Sequence, residues 1–314
     1  MNTIHDVIII GSGPAGYTAA LYCARANLKT LLLEGFETGG ALMQTTDVEN
    51  FPGFTEGILG PDLMMNMRSQ AERFGAVLEM DEATKLDLSG SIKKVWCMDD
   101  LYQGKAVILA TGSKARTLGI EGEEEYSGRG VSYCATCDGA FFVDKNVVVI
   151  GGGDSAMEEA LFLTKFANKV TIVNRSNNYR ASQIMLERAQ SHEKIEFINN
   201  YKPYKIYGED GKVTRIDLAG TITRDIKPLE TDAVFIAIGH DPRNSLFKDS
   251  IVLDEHGYVL THDKSTRTNL DGVFAAGDLA DPRYQQAITA AGSGCKAALD
   301  VEEYLNSLPL ENLS

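Results

Sequence analysis

Apolar residues in this chain gather in short unbroken runs, and several of those runs stop at a glycine. Val7-Ile-Ile-Ile10 leads into Gly11, Ala106-Val-Ile-Leu-Ala110 into Thr111-Gly112, Val147-Val-Val-Ile150 into Gly151, and Val273-Phe-Ala-Ala276 into Gly277. Aliphatic runs with no polar alternation predict strands covered on both faces, as in a parallel sheet. After Gly11-Ser12-Gly13-Pro14-Ala15-Gly16 an alanine-rich helix is predicted through Ala26, then the strand 30–33 ending at Glu34. After Gly151-Gly152-Gly153-Asp154-Ser155 a helix is predicted toward Phe166, then the strand 170–173 ending at Asn174. Strand, glycine turn, helix, strand is the βαβ opening of a doubly wound α/β fold, and it occurs twice.

One glycine-rich turn is a weak signal, but two at matched offset are strong, since Gly13 to Glu34 spans the same distance as Gly153 to Asn174. Each turn brings backbone N–H groups and a helix N-terminus onto a pyrophosphate. The residues at the ends of the second strands differ chemically. Glu34 suits ribose hydroxyls, whereas a carboxylate ~4 Å from a 2′-phosphate would be repelled by about 4 kcal/mol per unit charge at an effective dielectric near 20. Asn174 removes that repulsion, and Arg175 and Arg180 nearby favour a 2′-phosphate, the mark of NADP rather than NAD. Asp278, at the carboxyl end of another buried strand, is placed for the polyol hydroxyls of a cofactor, with a turn or helix cap as its plainer role. The helix opening at Gln286-Ala287 would set its positive end against an anionic reduced flavin.

Just before the second turn stands Cys134-Ala-Thr-Cys137-Asp138. A zinc site needs two more ligands, while Cys23, Cys97 and Cys295 are solitary and no paired histidines occur. A structural disulfide closing so short a loop would constrain the unfolded chain little. A redox-active dithiol beside a nucleotide site is the favoured reading, and Asp138 beside it is a candidate proton carrier, with a turn at Asp138-Gly139 as its bland alternative.

The 314 residues, 44% of them hydrophobic, suggest about two domains with ample core. A net charge of −14 and the lack of any basic cluster argue against nucleic acid as a partner. No apolar run approaches the ~20 residues of a membrane span, and the strand-like 6–10 follows too soon for a signal peptide, so a cytoplasmic location is expected. Five cysteines with one close pair fit a reducing compartment. Hinges are expected at Gly112-Ser-Lys-Ala115 and Gly239-His-Asp-Pro-Arg243. They define one discontinuous domain, 1–113 with 243–314, and an inserted domain, 114–242, that carries the dithiol.

Taken in order, Gly-Ser-Gly-Pro-Ala-Gly, Glu49-Asn50-Phe-Pro-Gly53, Ala110-Thr-Gly112, Cys-Ala-Thr-Cys-Asp, Gly-Gly-Gly-Asp-Ser-Ala-Met-Glu-Glu-Ala, Ile238-Gly-His240 and Ala-Ala-Gly-Asp give the whole chain a likeness: it resembles the bacterial low-molecular-weight thioredoxin reductases. The resemblance implies two Rossmann-like dinucleotide-binding domains, the NAD(P) domain inserted into a discontinuous FAD domain, in a homodimer. FAD would be lined by Gly11, Ser12, Gly13, Pro14, Ala15, Gly16, Glu34, Gly35, Gly40, Asn50, Ala110, Thr111, Gly112, Gly277, Asp278, Gln286 and Ala287. NADPH would be held by Gly151, Gly152, Gly153, Asp154, Ser155, Asn174, Arg175 and Arg180. It further implies that Cys137 faces the flavin, that Cys134 attacks thioredoxin, and that Asp138 moves protons. Since nicotinamide and dithiol share the inserted domain and must both reach one flavin, rotation of that domain is expected.

The chain departs from the family pattern at four places. Family members usually have His-Arg-Arg where this chain has Asn174-Arg175-Ser176, and the lost charged hydrogen bonds, about 1.5–3 kcal/mol each, bring NADH into contention. Gln285 stands for a common arginine, Ala140 for an aromatic that helps dock thioredoxin, and Ala41 for a frequent glutamine. A flavin-dependent oxidase of small dithiols and a flavin-bound redox sensor are the competing functions.

Overall fold

The computed structural model describes residues 3–45 and 47–309. The chain divides into two compact units, one formed by 1–114 and 241–314 and the other by 115–240.

In the first unit a sheet runs in the order Val77–Glu79, Thr30–Leu33, Ile4–Ile10, Asp100–Leu109, Lys93–Cys97, Lys85–Asp87, with Val273–Ala275 also paired to Asp100–Leu109. The four central partners of the long strands are parallel: Val7 lies opposite Thr30 on one side and Ala106 on the other, and Val273 lies opposite Val107. Their apolar runs are buried on both faces, as the pattern predicts, with Ile8, Ile9 and Leu32 wholly inaccessible. Each such side chain contributes about 1.5–3 kcal/mol of burial. One face packs on the helices Pro14–Arg25, Gly60–Arg73 and Ala287–Ser307, whose Tyr17, Ala20, Met64, Ala297 and Val301 join Val7, Ile9 and Ile108 in a single core. The first and last of these helices cross very closely. A Cβ on Gly294 would lie 2.1 Å from the carbonyl oxygen of Ala15, so only glycine permits the approach.

The second unit holds a five-stranded parallel sheet in the order Val131–Ser132, Ala233–Ile236, Asn146–Ile150, Lys169–Asn174, Ile195–Asn199. Helices Asp154–Leu163 and Gln183–Gln190 cover one face through Ala156, Met157, Ala160 and Ala189. Its other face packs on a three-stranded antiparallel sheet, Tyr201–Glu209, Lys212–Gly220 and Ile226–Glu230, through Ile206, Ile216 and Leu218. Both units are therefore α/β and Rossmann-like, the class read from the repeated pattern.

The repeat also holds in detail. Gly11 has φ +109°, and a Cβ there would stand 2.3 Å from the carbonyl oxygen of Ala110. Gly151 has φ +156°, and its Cβ would stand 2.3 Å from the carbonyl oxygen of Ala237. In each unit the chain leaves the strand before its glycine turn by passing hard against a neighbouring strand's end. No side chain fits there, and the left-handed φ adds strain for any residue but glycine.

Candidate active site

Parallel strands deliver their carboxyl ends to one edge of a sheet, and the residues expected to hold FAD lie at that edge of the first unit. Gly11–Gly16 follow Ile4–Ile10, Glu34 and Gly35 follow Thr30–Leu33, Ala110–Gly112 follow Asp100–Leu109, and Gly277 and Asp278 follow Val273–Ala275. Pro14 opens the first helix at a position where a missing N–H costs nothing. Ser12 ties the edge together: its hydroxyl donates to the Glu34 carbonyl (2.8 Å) and accepts from the Gly39 N–H (2.9 Å). That draws the 35–40 loop inward until a Cβ on Gly40 would be 3.3 Å from the Cα of Gly13. Asn50 reaches Gln286 across 236 residues of sequence, its amide donating to Oε1 at 3.4 Å. Gln286 caps Ala287–Ser307 with a reciprocal pair of bonds to Thr289, which fixes that helix's N-terminal end. Thr111 donates to the Arg243 carbonyl at 2.6 Å.

Asp278 is the informative group. Its Oδ1 is buried and has no hydrogen-bond partner among the described residues. Burial, helped by Asp281, pushes its carboxyl up to about 6. A buried acceptor without a donor is costly unless something else supplies the donor, and a polyol hydroxyl at the strand edge would do so. Space beside Gly13 and Gly35 is open as well. These features fit an FAD pyrophosphate and its polyol chain. The Glu34 carboxylate accepts from Tyr17 (2.6 Å) and from Arg68 Nε and Nη2 (2.9 and 3.0 Å), and its side chain has no exposed surface. Glu34, expected from sequence to meet ribose hydroxyls, is thus held at the strand end by Tyr17 and by the part-exposed Arg68. Neither Tyr17 nor Arg68 belongs to a motif, and Arg68 is distant in sequence, so no local signal marks them.

In the second unit Cys134 and Cys137 form a disulfide with Cα atoms 5.3 Å apart. Cys134 caps the short helix Ala135–Asp138, its sulfur accepting from the Cys137 N–H at 3.2 Å. Ser132 organises the turn from below: it accepts from the Cys134 N–H (3.1 Å) and donates to Asp138 Oδ2 (2.6 Å). Burial raises the Asp138 carboxyl, and the Ser132 bond offsets part of that rise. An acid held this way keeps its proton to higher pH than an exposed aspartate. Ser132 was not read from sequence, since a lone serine two residues before a cysteine carries no recognisable pattern. Among the described residues no group of His, Cys, Asp or Glu could hold a metal ion.

The second glycine loop opens the helix Asp154–Leu163 with Gly153 as its cap and open space where a Gly153 Cβ would stand. Asn174 is buried and turned toward its own loop, donating to the Ser176 and Asn178 carbonyls at 2.9 and 3.1 Å. The Gly152 carbonyl accepts from the Arg180 and Ala181 N–H groups at 2.7 and 3.1 Å. The 175–181 loop is thus clamped onto the glycine turn. Arg175 and Arg180 stay exposed on it, and neither guanidinium makes an ion pair among the described residues. Two cations without ion pairs, on a loop hydrogen-bonded to the glycine turn, suit a bound phosphate. Asp154, expected to contact the nucleotide, spends its carboxylate on the Ser182 N–H and hydroxyl (2.8 and 2.9 Å) at the head of Gln183–Gln190, while Ser155 is exposed.

Comparison with known proteins adds a consistent picture. Residues 5–294 match the pyridine nucleotide-disulphide oxidoreductase family. A thioredoxin reductase of Mycolicibacterium smegmatis is 57% identical over 303 residues, covering 96% of this chain and 97% of that protein. One from Streptomyces clavuligerus is 57% identical over 310 residues, covering 98% and 96%. The crystal structure of thioredoxin reductase from Streptococcus pyogenes MGAS5005 matches with a TM-score of 0.93 at 42% identity, over 98% of this chain and all of that one.

Proposed function

This chain belongs to the pyridine nucleotide-disulphide oxidoreductase family, among its low-molecular-weight thioredoxin reductases, and from that premise we propose that it uses NADPH to reduce the disulfide of a thioredoxin. The observation that carries the proposal is the Cys134–Cys137 disulfide, held with Asp138 on the same unit as a pyridine-nucleotide turn. Bound FAD would supply a two-electron relay between the nicotinamide and this disulfide. Gly11–Gly16, Asn50, Asp278 and Gln286 would hold it, with Asp278 accepting hydroxyl donors at its orphaned oxygen.

Once reduced, the dithiol acts by exchange. The Cys134 thiolate attacks one sulfur of the thioredoxin disulfide, forming a mixed disulfide and expelling the partner sulfur as a thiolate, which takes a proton from Asp138 or water. The Cys137 thiolate then attacks Cys134, re-forming the internal disulfide and releasing the second thioredoxin sulfur. Assignment of the attacking role to Cys134 comes from the family likeness. The short distance in sequence makes the second attack intramolecular and fast.

NADPH is preferred over NADH in this proposal because Arg175 and Arg180 are unpaired on the clamped loop. Asn174 supports that loop through its amide N–H groups, so loss of a histidine there costs little in this proposal. Ser176 leaves the phosphate with fewer guanidinium bonds, and NADH is used at a reduced rate. The alternation of domain orientation expected from the sequence belongs to the proposal, as do a homodimeric state and a reducing, cytoplasmic setting. No helix among the described residues is long and apolar enough to cross a membrane.

Anaerobic stopped-flow mixing of the FAD-loaded protein with NADPH or NADH is the test. Flavin bleaching by NADPH, followed by turnover with thioredoxin that vanishes in Cys134→Ser while bleaching persists, is the expected result. Absence of bleaching with both nucleotides, or full turnover in the variant, would sink it.

A further inference from the structure

Glu159 is absorbed by none of the roles above, yet it touches the dithiol turn. It lies on Asp154–Leu163, which packs directly on Ala135–Asp138, and its carboxylate faces the backbone N–H of Ala135, the residue that follows Cys134. Its Oε2 is buried and has no hydrogen-bond partner among the described residues. A carboxylate with one buried bare oxygen is unfavourable, whereas a carboxylic acid places a proton there.

We propose that Glu159 is a positioning residue of the redox dithiol: it anchors the cysteine turn through Ala135 and is kept as a neutral acid, so that a thiolate forms beside it without a like charge. This deepens the function proposed above and rests on it.

Burial is the main cause that lifts the Glu159 carboxyl to about 8, with its chain neighbour Glu158 adding to it and the Ala135 bond opposing it. Charged residues on the elements packed against this helix are Asp138 on the dithiol turn, Glu187 and Arg188 on Gln183–Gln190, and Lys169 on Lys169–Asn174; Asn146–Ile150 carries none. Of the charged neighbours, Glu158 is the one that raises the Glu159 carboxyl. The internal disulfide is uncharged, and the Ala135 N–H is satisfied whether Glu159 is protonated or not. Reduction changes the balance. A thiolate in the turn favours the protonated acid, and by reciprocity an ionised Glu159 disfavours the thiolate. Between them the two groups hold one negative charge more readily than two.

Iodoacetamide alkylation of Cys134 tests this in the FAD-loaded protein after anaerobic reduction by dithiothreitol and removal of the reductant. Rates are mapped by mass spectrometry from about pH 6 to about pH 10, with Glu159→Gln and Glu159→Ala beside wild type. The glutamine keeps an acceptor for Ala135 but cannot ionise. E159Q is expected to match wild type near pH 6 to 7 and to react about five- to tenfold faster near pH 8 to 9, where wild-type Glu159 ionises. E159A, lacking the anchor, is expected to differ at every pH. Superimposable wild-type and E159Q profiles would overturn the proposal. Should E159Q fail to fold, infrared difference spectra of an Asp138→Asn protein on reduction of the disulfide decide: a shifted band of a protonated carboxyl supports the proposal, and its absence overturns it. Neither measurement uses nicotinamide or thioredoxin, so a protein that fails the turnover assay can still pass this one.

Discussion

Replacing Asp278 with asparagine should pull folding and cofactor binding in opposite directions. In the folded apoprotein burial holds the Asp278 carboxyl at about 6, against an ordinary aspartate value near 3.9 in the unfolded chain. A raised folded value means that the native state binds the proton more tightly than the unfolded one. The associated stability is therefore fully present below about pH 4, is lost as pH rises from about 4 through about 6, and stays lost above. A shift of about two units corresponds to about 3 kcal/mol, an upper bound because solvent reaches part of the group. The amide abolishes this loss but brings a donor that needs a partner, at about 1 kcal/mol, leaving a net gain of roughly 1–2 kcal/mol at neutral pH. Toward FAD the change runs the other way, since hydrogen bonds to a charged acceptor, about 1.5–3 kcal/mol, are weakened and affinity should fall at least tenfold. Urea denaturation of FAD-stripped protein can be followed by Trp96, the chain's single tryptophan, which lies in the same unit on Lys93–Cys97. The variant should be more stable than wild type above about pH 6 and show a flatter pH dependence between about 4 and 6. Parallel stability curves, together with unchanged FAD affinity by fluorescence titration, would refute the assignment of Asp278 as a strained acceptor waiting for cofactor hydroxyls.

Arg68→Ala strips the countercharge from the fully buried Glu34 and should cost about 2–3 kcal/mol in urea denaturation, largely recovered in the Arg68→Ala/Glu34→Gln double variant; a cost below about 0.5 kcal/mol would mean that Tyr17 alone satisfies the carboxylate. Ser176→Arg returns a guanidinium to the clamped loop and should raise the NADPH-to-NADH ratio of kcat/KM about tenfold, while an unchanged ratio would place the 2′-phosphate elsewhere. In Gly152→Ala the new Cβ would stand 2.7 Å from Oδ1 of Asn174, whose amide is fixed by two carbonyls, so the loop must shift and the KM for NADPH should rise about tenfold with the thermal midpoint little changed. An unaltered KM would show that the loop yields without disturbing the nucleotide.

The sequence by itself determined both βαβ turns, the strands beneath them, the dithiol, and the family, because each of these is written in contiguous residues. Apolar runs specify burial on both faces, glycines specify turns that no side chain can enter, and Cys-x-x-Cys needs only its own spacing to close. Local chemistry also marked Asp278 and Gln286 by their place after a strand or before a helix. Tertiary structure decided how the polar side chains are spent. Glu34 was legible as an acid at a strand end, but only folding brings Arg68 to it from the helix Gly60–Arg73 and gives the buried carboxylate its countercharge. Asn174 was legible as an uncharged replacement, yet its clamp on the Ser176 and Asn178 carbonyls depends on a loop path that propensity does not encode. Ser132 reaches Asp138 from a strand and Glu159 meets the dithiol turn from a neighbouring helix, and the raised carboxyls of Asp138 and Glu159 come from burial, which no single residue possesses until the elements have packed.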